Sequence, residues 1–411
     1  MTNLCKHSTT LTTTILLFLL IGLISYGHQY HLRFIAEAGE GVCTEYDQTE
    51  NTINVNCNSS FPDVIQAMND PEIVENLGNG EYLLNATLEV ADGITFEMNS
   101  SNADDNIQYL KLAGENGIIV YGKILIDGVK ITSWNVSSND VIPQDINGTI
   151  RRGYIQFAAS EDSQIINSEF GYLGDVEPGR RGFDLLGDVD GEPSHDMVIR
   201  ANKFHDMWMG FYSNGAYNIV IDANEYYNNI KYTIDPHTIT HDMNITNNYV
   251  HHNRIGIICS LDCYNILIEG NDVHHNKDYG IFFSRDMHDS IARSNHVYNS
   301  STGLMISESP NNQIYNNTIE AATSQGIRLF NPEIPDDGVT EGNLVYNNTI
   351  INSENGIVAT RSHDNIVQNT TFFDIEESEY RLSGDSSIRI RGQHFDDALI
   401  SQDSSVTTVR Q

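Results

Sequence analysis

The segment Tyr232-Thr-Ile-Asp-Pro-His237 sets two titratable side chains two residues apart. In a strand, alternate residues point the same way, so Asp235 and His237 would project from one face while Pro236 turns inward and stiffens the link. An acid and a base held side by side, with Tyr232 at the entrance of the strand, can move protons on and off a substrate. Histidine is frequent here (His241, His251, His252, His274, His275, His288 and His296), and a turn with a coincidental Asp and His is the plain alternative. The elements that carry the segment therefore have to be read next.

From about residue 180 the chain repeats a glycine, alternating apolar residues, a polar turn and a second strand of the Asn-Ile-x-Ile kind. The anchors are Gly182, Gly210, Thr233 in place of Gly, Gly256, Gly280, Gly303, Gly326 and Gly356, at spacings of 28, 23, 23, 24, 23, 23 and 30. A period near 23 made of short strands and Asn/Gly/Asp turns, without helical periodicity, predicts an all-β chain folded as a right-handed parallel β-helix. Leucine-rich repeats share the period but need a Leu-x-x-Leu-x-Leu pattern that is absent.

One residue after each anchor stand Phe183, Phe211, Ile234, Ile257, Ile281, Leu304, Ile327 and Ile357, an apolar column that must face the core. Two residues after stand Asp184, Tyr212, Asp235, Ile258, Phe282, Met305, Arg328 and Val358, the mixed set of an exposed face. His237, Ser260, Ser284 and Ser307 follow at four residues, and Leu261, Arg285, Glu308 and Arg361 at five. Coils in such a stack lie about 4.8 Å apart, so these columns outline an elongated groove shaped for a polymer. Asn residues at equivalent turns, as in Asn218-Ile-Val-Ile, Asn265-Ile-Leu-Ile and Asn312-Gln-Ile-Tyr, are expected to stack as hydrogen-bonded ladders. The expected divisions are a signal peptide or N-terminal anchor at 1–27, an N-terminal cap at 28–80, the β-helix at 81–372 and a C-terminal cap with a polar tail at 373–411.

Composition narrows the partner. The 411 residues carry 22 Lys+Arg against 56 Asp+Glu, a formal net charge of -34. Too few cations remain to replace phosphate counterions, which excludes the usual nucleic-acid binder, and a basic membrane-surface helix is excluded with it. The apolar run from Ile15 to Ile24, with Lys6 before it and Ser25-Tyr26-Gly27 after it, has the form of a secretory signal. An uncleaved membrane tether is the alternative, and either would export a chain expected to be a monomer. Without Cys5, an even number of cysteines remains, most simply paired as Cys43–Cys57 and Cys259–Cys263. Sequons occur at Asn58, Asn85, Asn99, Asn135, Asn147, Asn244, Asn299, Asn316, Asn347 and Asn369, as glycan acceptors or as turn-forming Asn-Asn-Thr repeats. No cofactor is required by these motifs; Ca2+ is a possible companion, although no EF-hand or nonapeptide calcium repeat is present.

Tyr-x-x-Asp-Pro-His on a β-helix strand resembles the signature of the mannuronan C5-epimerases, the alginate-modifying enzymes. Asn224-Glu-Tyr-Tyr-Asn-Asn-Ile-Lys-Tyr-Thr-Ile-Asp-Pro-His237, Asn167-Ser-Glu-Phe-Gly-Tyr-Leu-Gly174, Gly122-Lys-Ile-Leu-Ile-Asp-Gly-Val-Lys-Ile-Thr-Ser-Trp134 and Gly280-Ile-Phe-Phe-Ser-Arg-Asp286 are similar to the periplasmic branch of that family, over roughly residues 80–330. The resemblance implies C5-epimerisation of a polyuronate such as mannuronan. In that reading His237 is the base, Asp235 orients or charge-balances it, Tyr232 donates or relays a proton, and an arginine supplies neutralisation or proton delivery.

Two departures stand out. Thr238 follows the histidine where the family usually has an acid, and Leu261 occupies the usual arginine position one coil on. Arg285 comes a coil later, about 10 Å from the motif and near the limit of its reach. It would serve a neighbouring subsite, or Lys231, Arg254 or Lys277 would take its place, or the reaction would be altered or lost. Tyr212, Asp184, Ser260, Tyr279, Phe282, Ser284 and Arg328 complete the expected substrate-binding set. A lyase is the close chemical alternative, because the same carbanion can expel the 4-linked oxygen. A non-catalytic carbohydrate-binding or surface β-helix, stacking sugars on Tyr212, Tyr279 and Phe282, is the alternative of another class. A uniformly negative groove would exclude a polyuronate, because like charges repel it.

Overall fold

The coil that carries Asp235 shows how the molecule is built. The strand Ile234–His237 leads into His241–Thr246 and Tyr249–His251, and the next coil begins with Ile255–Ser260. Each of these strands pairs in parallel with its counterpart one coil away. Repetition yields a first sheet of 15 strands, a second of 14 and a third of 14, wrapped as the right-handed parallel β-helix that the period predicts. This computed structural model describes residues 42–100, 107–187, 193–334, 338–392 and 397–409. The expected signal or anchor at 1–27 lies outside the described residues. Among them no helix is long and apolar enough to cross a membrane.

The column read as inward is inward: Phe183, Phe211, Ile234, Ile257, Ile281, Leu304, Ile327 and Ile357 are fully buried. Each such side chain contributes roughly 1.5–3 kcal/mol by leaving water. The anchors are glycine because a Cβ has no room. At Gly280 it would lie 2.3 Å from Val297 Cγ1 and 2.7 Å from the Gly303 carbonyl oxygen. Thr233 breaks the column and donates its hydroxyl to the Ile255 carbonyl at 2.8 Å, so no buried polar group is orphaned.

The asparagine ladder runs mainly elsewhere than at Asn218 and Asn265. Asn202, Asn224, Asn248, Asn271, Asn295, Asn317 and Asn348 stack at the turn between the second and third sheets, each amide donating to the next at 2.9–3.0 Å. Asn343 and Asn365 form a short ladder at the entry to the second sheet, where Asn312 joins through its backbone. Asn316 and Asn347, just before ladder residues, are left-handed at φ 56° and 54°. Asparagine suits that geometry at these two positions.

The helix Phe61–Met68 packs Phe61 and Val64 onto the apolar core near the first coils. The Cys43–Cys57 disulfide joins the two ends of the antiparallel pair Thr44–Asp47 and Thr52–Val55. The second expected bridge does not form. Cys259 is an inward residue of Ile255–Ser260 and Cys263 turns its thiol to the Ser260 carbonyl at 3.1 Å, so both are free and buried. Parallel stacking begins with Thr52–Val55 against Thr87–Val90 and continues beyond residue 372 to Ser405–Val409.

Candidate active site

His237 and Asp235 project from the outer side of the first sheet, while Ile234 and Pro236 point inward. Strand pairing aligns Asp184 with Tyr212 and Tyr212 with Asp235 on successive coils. The face is less open than its residue types suggest. Asp184 and Asp235 are fully buried and Tyr212 is 8% exposed. A second apolar cluster, Trp208, Met209 and Tyr212 with Ile230 and Tyr232 against it, lies outside the main core and shields this region.

His237 is oriented at both nitrogens. Arg285 Nη2 lies 3.4 Å from Nε2, and Thr238 Oγ1 lies 2.7 Å from Nδ1. A guanidinium can only donate, so Nε2 accepts and Nδ1 carries the proton that it gives to Thr238. The imidazole also rests against Tyr212, with ring centroids 5.3 Å apart. Burial, then Arg285 and Arg181, lower its pKa from 6.5 to about 4. At neutral pH it is an uncharged base, and its only hydrogen-bond partner at Nε2 among the described residues lies at a distance that is long for a hydrogen bond.

Asp235 does not orient the histidine by hydrogen bonding, because neither carboxyl oxygen has a hydrogen-bond partner among the described residues. Burial pushes its pKa well up, against the attraction of Arg181, Arg285 and Lys231. Burial thereby favours the protonated form over the carboxylate and weakens Asp235 as a counter-ion. Asp184 is likewise raised by burial, to about 6, although it accepts from the Arg181 guanidinium at 3.5 Å. Tyr232 is half-buried and its pKa is raised by burial and by Asp235.

Arg285 reaches His237 across the intervening Leu261 coil, so the two-coil separation does not remove it from the site. Arg285 and Leu261 occupy the same left-handed turn position on their coils, with φ of 52° and 63°. The candidate substitutes sit differently: Arg254 is paired with Asp278 at 2.9 Å, and Lys231 lies over the Tyr232 ring at 5.2 Å. Arg181, absent from the expected set, stacks its guanidinium 4.0 Å over Tyr212 and acts on both Asp235 and His237. A bulge between Gly182 and Asp184 disturbs the coil it precedes. Its only sequence signal was the Arg180-Arg181 pair just before an anchor.

Farther along the face, Ser260 and Ser284 are buried in the His237 column, Tyr279 packs on Phe282 at 4.8 Å, and Arg328 lies over Phe330. No carboxylate among the described residues is within ion-pair distance of Lys231, Lys277, Arg285, Arg328 or Arg361, although most other lysines and arginines are paired. With Asp184 and Asp235 buried, the groove is not uniformly negative despite the net charge. Among the described residues no three His, Cys, Asp or Glu side chains converge as a metal site.

A family model described as "Right handed beta helix region" matches residues 116–287 and 187–332. A protein named mannuronan C5-epimerase from Pseudomonas syringae pv. tomato is 27% identical over 201 residues, 46% of this chain and 36% of that relative. One of the same name from Pseudomonas putida is 26% identical over 167 residues, 38% and 32%. The chain thus matches about a third of the length of these curated relatives. The solved periplasmic alginate epimerase AlgG is similar at a TM-score of 0.64 and 18% identity, over 87% of this chain and 85% of that one. The A-module of a mannuronan C-5 epimerase from Azotobacter vinelandii is similar at 0.51 and 15%, over 78% and 89%. At these identities the solved structures bear on the fold.

Proposed function

From the premise that the chain belongs to the right-handed β-helix family, we propose that it is an exported enzyme that inverts C5 of uronate residues in a polyuronate such as mannuronan. The observation that carries this reading is His237, held neutral and in one tautomer with Nε2 weakly engaged by Arg285. The names of the curated relatives support the substrate class. Export is supported by the apolar run from Ile15 to Ile24.

On substrate entry the uronate carboxylate draws Arg285 from His237, and Nε2 accepts the C5 proton. The electron pair left at C5 spreads into the carboxylate. Arg285 and Arg181 stabilise that added charge in a site with little water, where fixed donors act most strongly. A proton returned to the opposite face inverts the centre; Asp235, whose protonated form burial favours, and Tyr232 are the proposed donors, and the one that gives its proton regains it from solvent before the next turnover. The proton on His237 then passes to solvent.

The test is product analysis after incubation with polymannuronate. The proposal expects NMR signals of inverted C5 centres at unchanged chain length, absent with His237→Ala. Rising ultraviolet absorbance from unsaturated ends would instead assign a lyase, and no change in any polyuronate would leave a binding protein.

A further inference from the structure

We propose that Arg328 and Arg361, both stacked on Phe330, form a distal carboxylate-binding subsite for a uronate unit roughly four residues along the polymer from the one at His237. The inference rests on the polyuronate reading and names how far the substrate must extend. Phe330 stands in the histidine's own column, through the register His237, Ser260, Ser284, Ser307 and Phe330. Arg328 is outward in the neighbouring column, paired with Met305. Four coils are about 19 Å. An extended 1,4-linked pyranose chain advances by close to one coil spacing per sugar, so a polymer laid along this face brings successive carboxylates past successive coils.

The two guanidinium carbons lie 4.4 and 5.4 Å from the Phe330 ring centroid. Arg361 is braced: its Nε donates to the Asn331 carbonyl at 2.8 Å, and the Asn331 amide donates back to the Arg361 carbonyl at 2.7 Å. That leaves the terminal nitrogens of Arg361 for a ligand. Arg328 Nε is buried without a hydrogen-bond partner, and neither arginine has an ion-pair partner among the described residues. Burial and the neighbouring Arg361 both lower the Arg328 pKa. Two cations held together cost free energy, and although Glu333 and Glu341 line the same cavity as Arg361, neither is within ion-pair distance of it. A ligand carboxylate, accepted by planar donors, meets the need left open.

The experiment is calorimetric binding of defined mannuronate trimers and octamers, and of a galacturonate octamer, to the full chain and to Arg328→Gln, Arg361→Gln and the double variant. The subsite predicts that an octamer binds about tenfold or more tightly than the trimer. It also predicts that the double variant loses this advantage. If only the galacturonate octamer shows that dependence, the subsite stands and the mannuronan reading falls. Equal affinity of trimer and octamer for the unsubstituted chain, which needs no variant to fold, overturns the subsite. So does an octamer advantage that survives both substitutions.

Discussion

Thr238→Asp is the sharpest perturbation of the proposed base. Thr238 Oγ1 sits 2.7 Å from His237 Nδ1, on a backbone with φ 38°. Asp adopts that left-handed geometry more readily than a β-branched residue, so the substitution eases the local backbone. A carboxylate there would accept from Nδ1–H in both forms of the ring, but would hold the charged imidazolium much more strongly than the neutral one. Two unit charges about 4 Å apart in a partly buried site interact by about 4 kcal/mol. After desolvation of the new carboxylate, the His237 midpoint should rise from about 4 into the range of roughly 5 to 7. At pH 5 a group titrating near 4 is about nine-tenths neutral, and one near 6.5 only about 3% neutral. The acidic limb of kcat/KM against pH should move upward by the same amount. An NMR titration of His237, assigned by difference against His237→Ala, follows the midpoint without any substrate. A midpoint in Thr238→Asp within half a pH unit of the unsubstituted protein would refute the assigned contact between residue 238 and Nδ1.

Other outcomes follow from the same geometry. Arg285→Gln should lower turnover by about 10²–10³-fold, the loss of one donor aimed at developing charge, and Leu261→Arg in that background should restore part of it; failure of the second change in a folded protein would place the neutralising role elsewhere. Asn248→Ala removes the acceptor of the Asn224 side-chain and backbone amides, and the donor to the Ile221 carbonyl. Denaturant unfolding should show a loss of about 2–4 kcal/mol. Alkylation of the unfolded, unreduced protein followed by peptide mapping should label Cys259 and Cys263 but not Cys43 or Cys57. Because the folded His237 pKa is depressed, its neutral burial is fully favourable above about pH 6.5 and is lost as pH falls towards 4. His237→Gln should flatten that part of the stability profile.

The sequence disclosed the coil because its period is local and repeated: inward residues recur at fixed offsets from a glycine that only a missing Cβ permits. It also disclosed that Asp235 and His237 share a face, since strand alternation needs no tertiary knowledge. Burial of that face was not legible. It depends on Trp208, Met209 and Ile230 meeting Tyr212 and Tyr232 across coils. Arg181 was hidden for a related reason, since the bulge before Asp184 displaces it from the regular columns. Arg285 was legible as a candidate but not as a contact, because whether it reaches His237 is set by its side-chain path over Leu261. The cysteine count suggested a second bridge, yet an inward strand position and a thiol turned to a carbonyl keep Cys259 and Cys263 apart.

The most direct measurement is incubation of polymannuronate with the protein in deuterium oxide, read by NMR at C5. Proton removal by His237 and return from the opposite face predict inverted centres carrying deuterium, at constant chain length and only when His237 is present. Inverted, deuterated centres formed equally by His237→Ala, or no inversion by the unsubstituted protein, would contradict it.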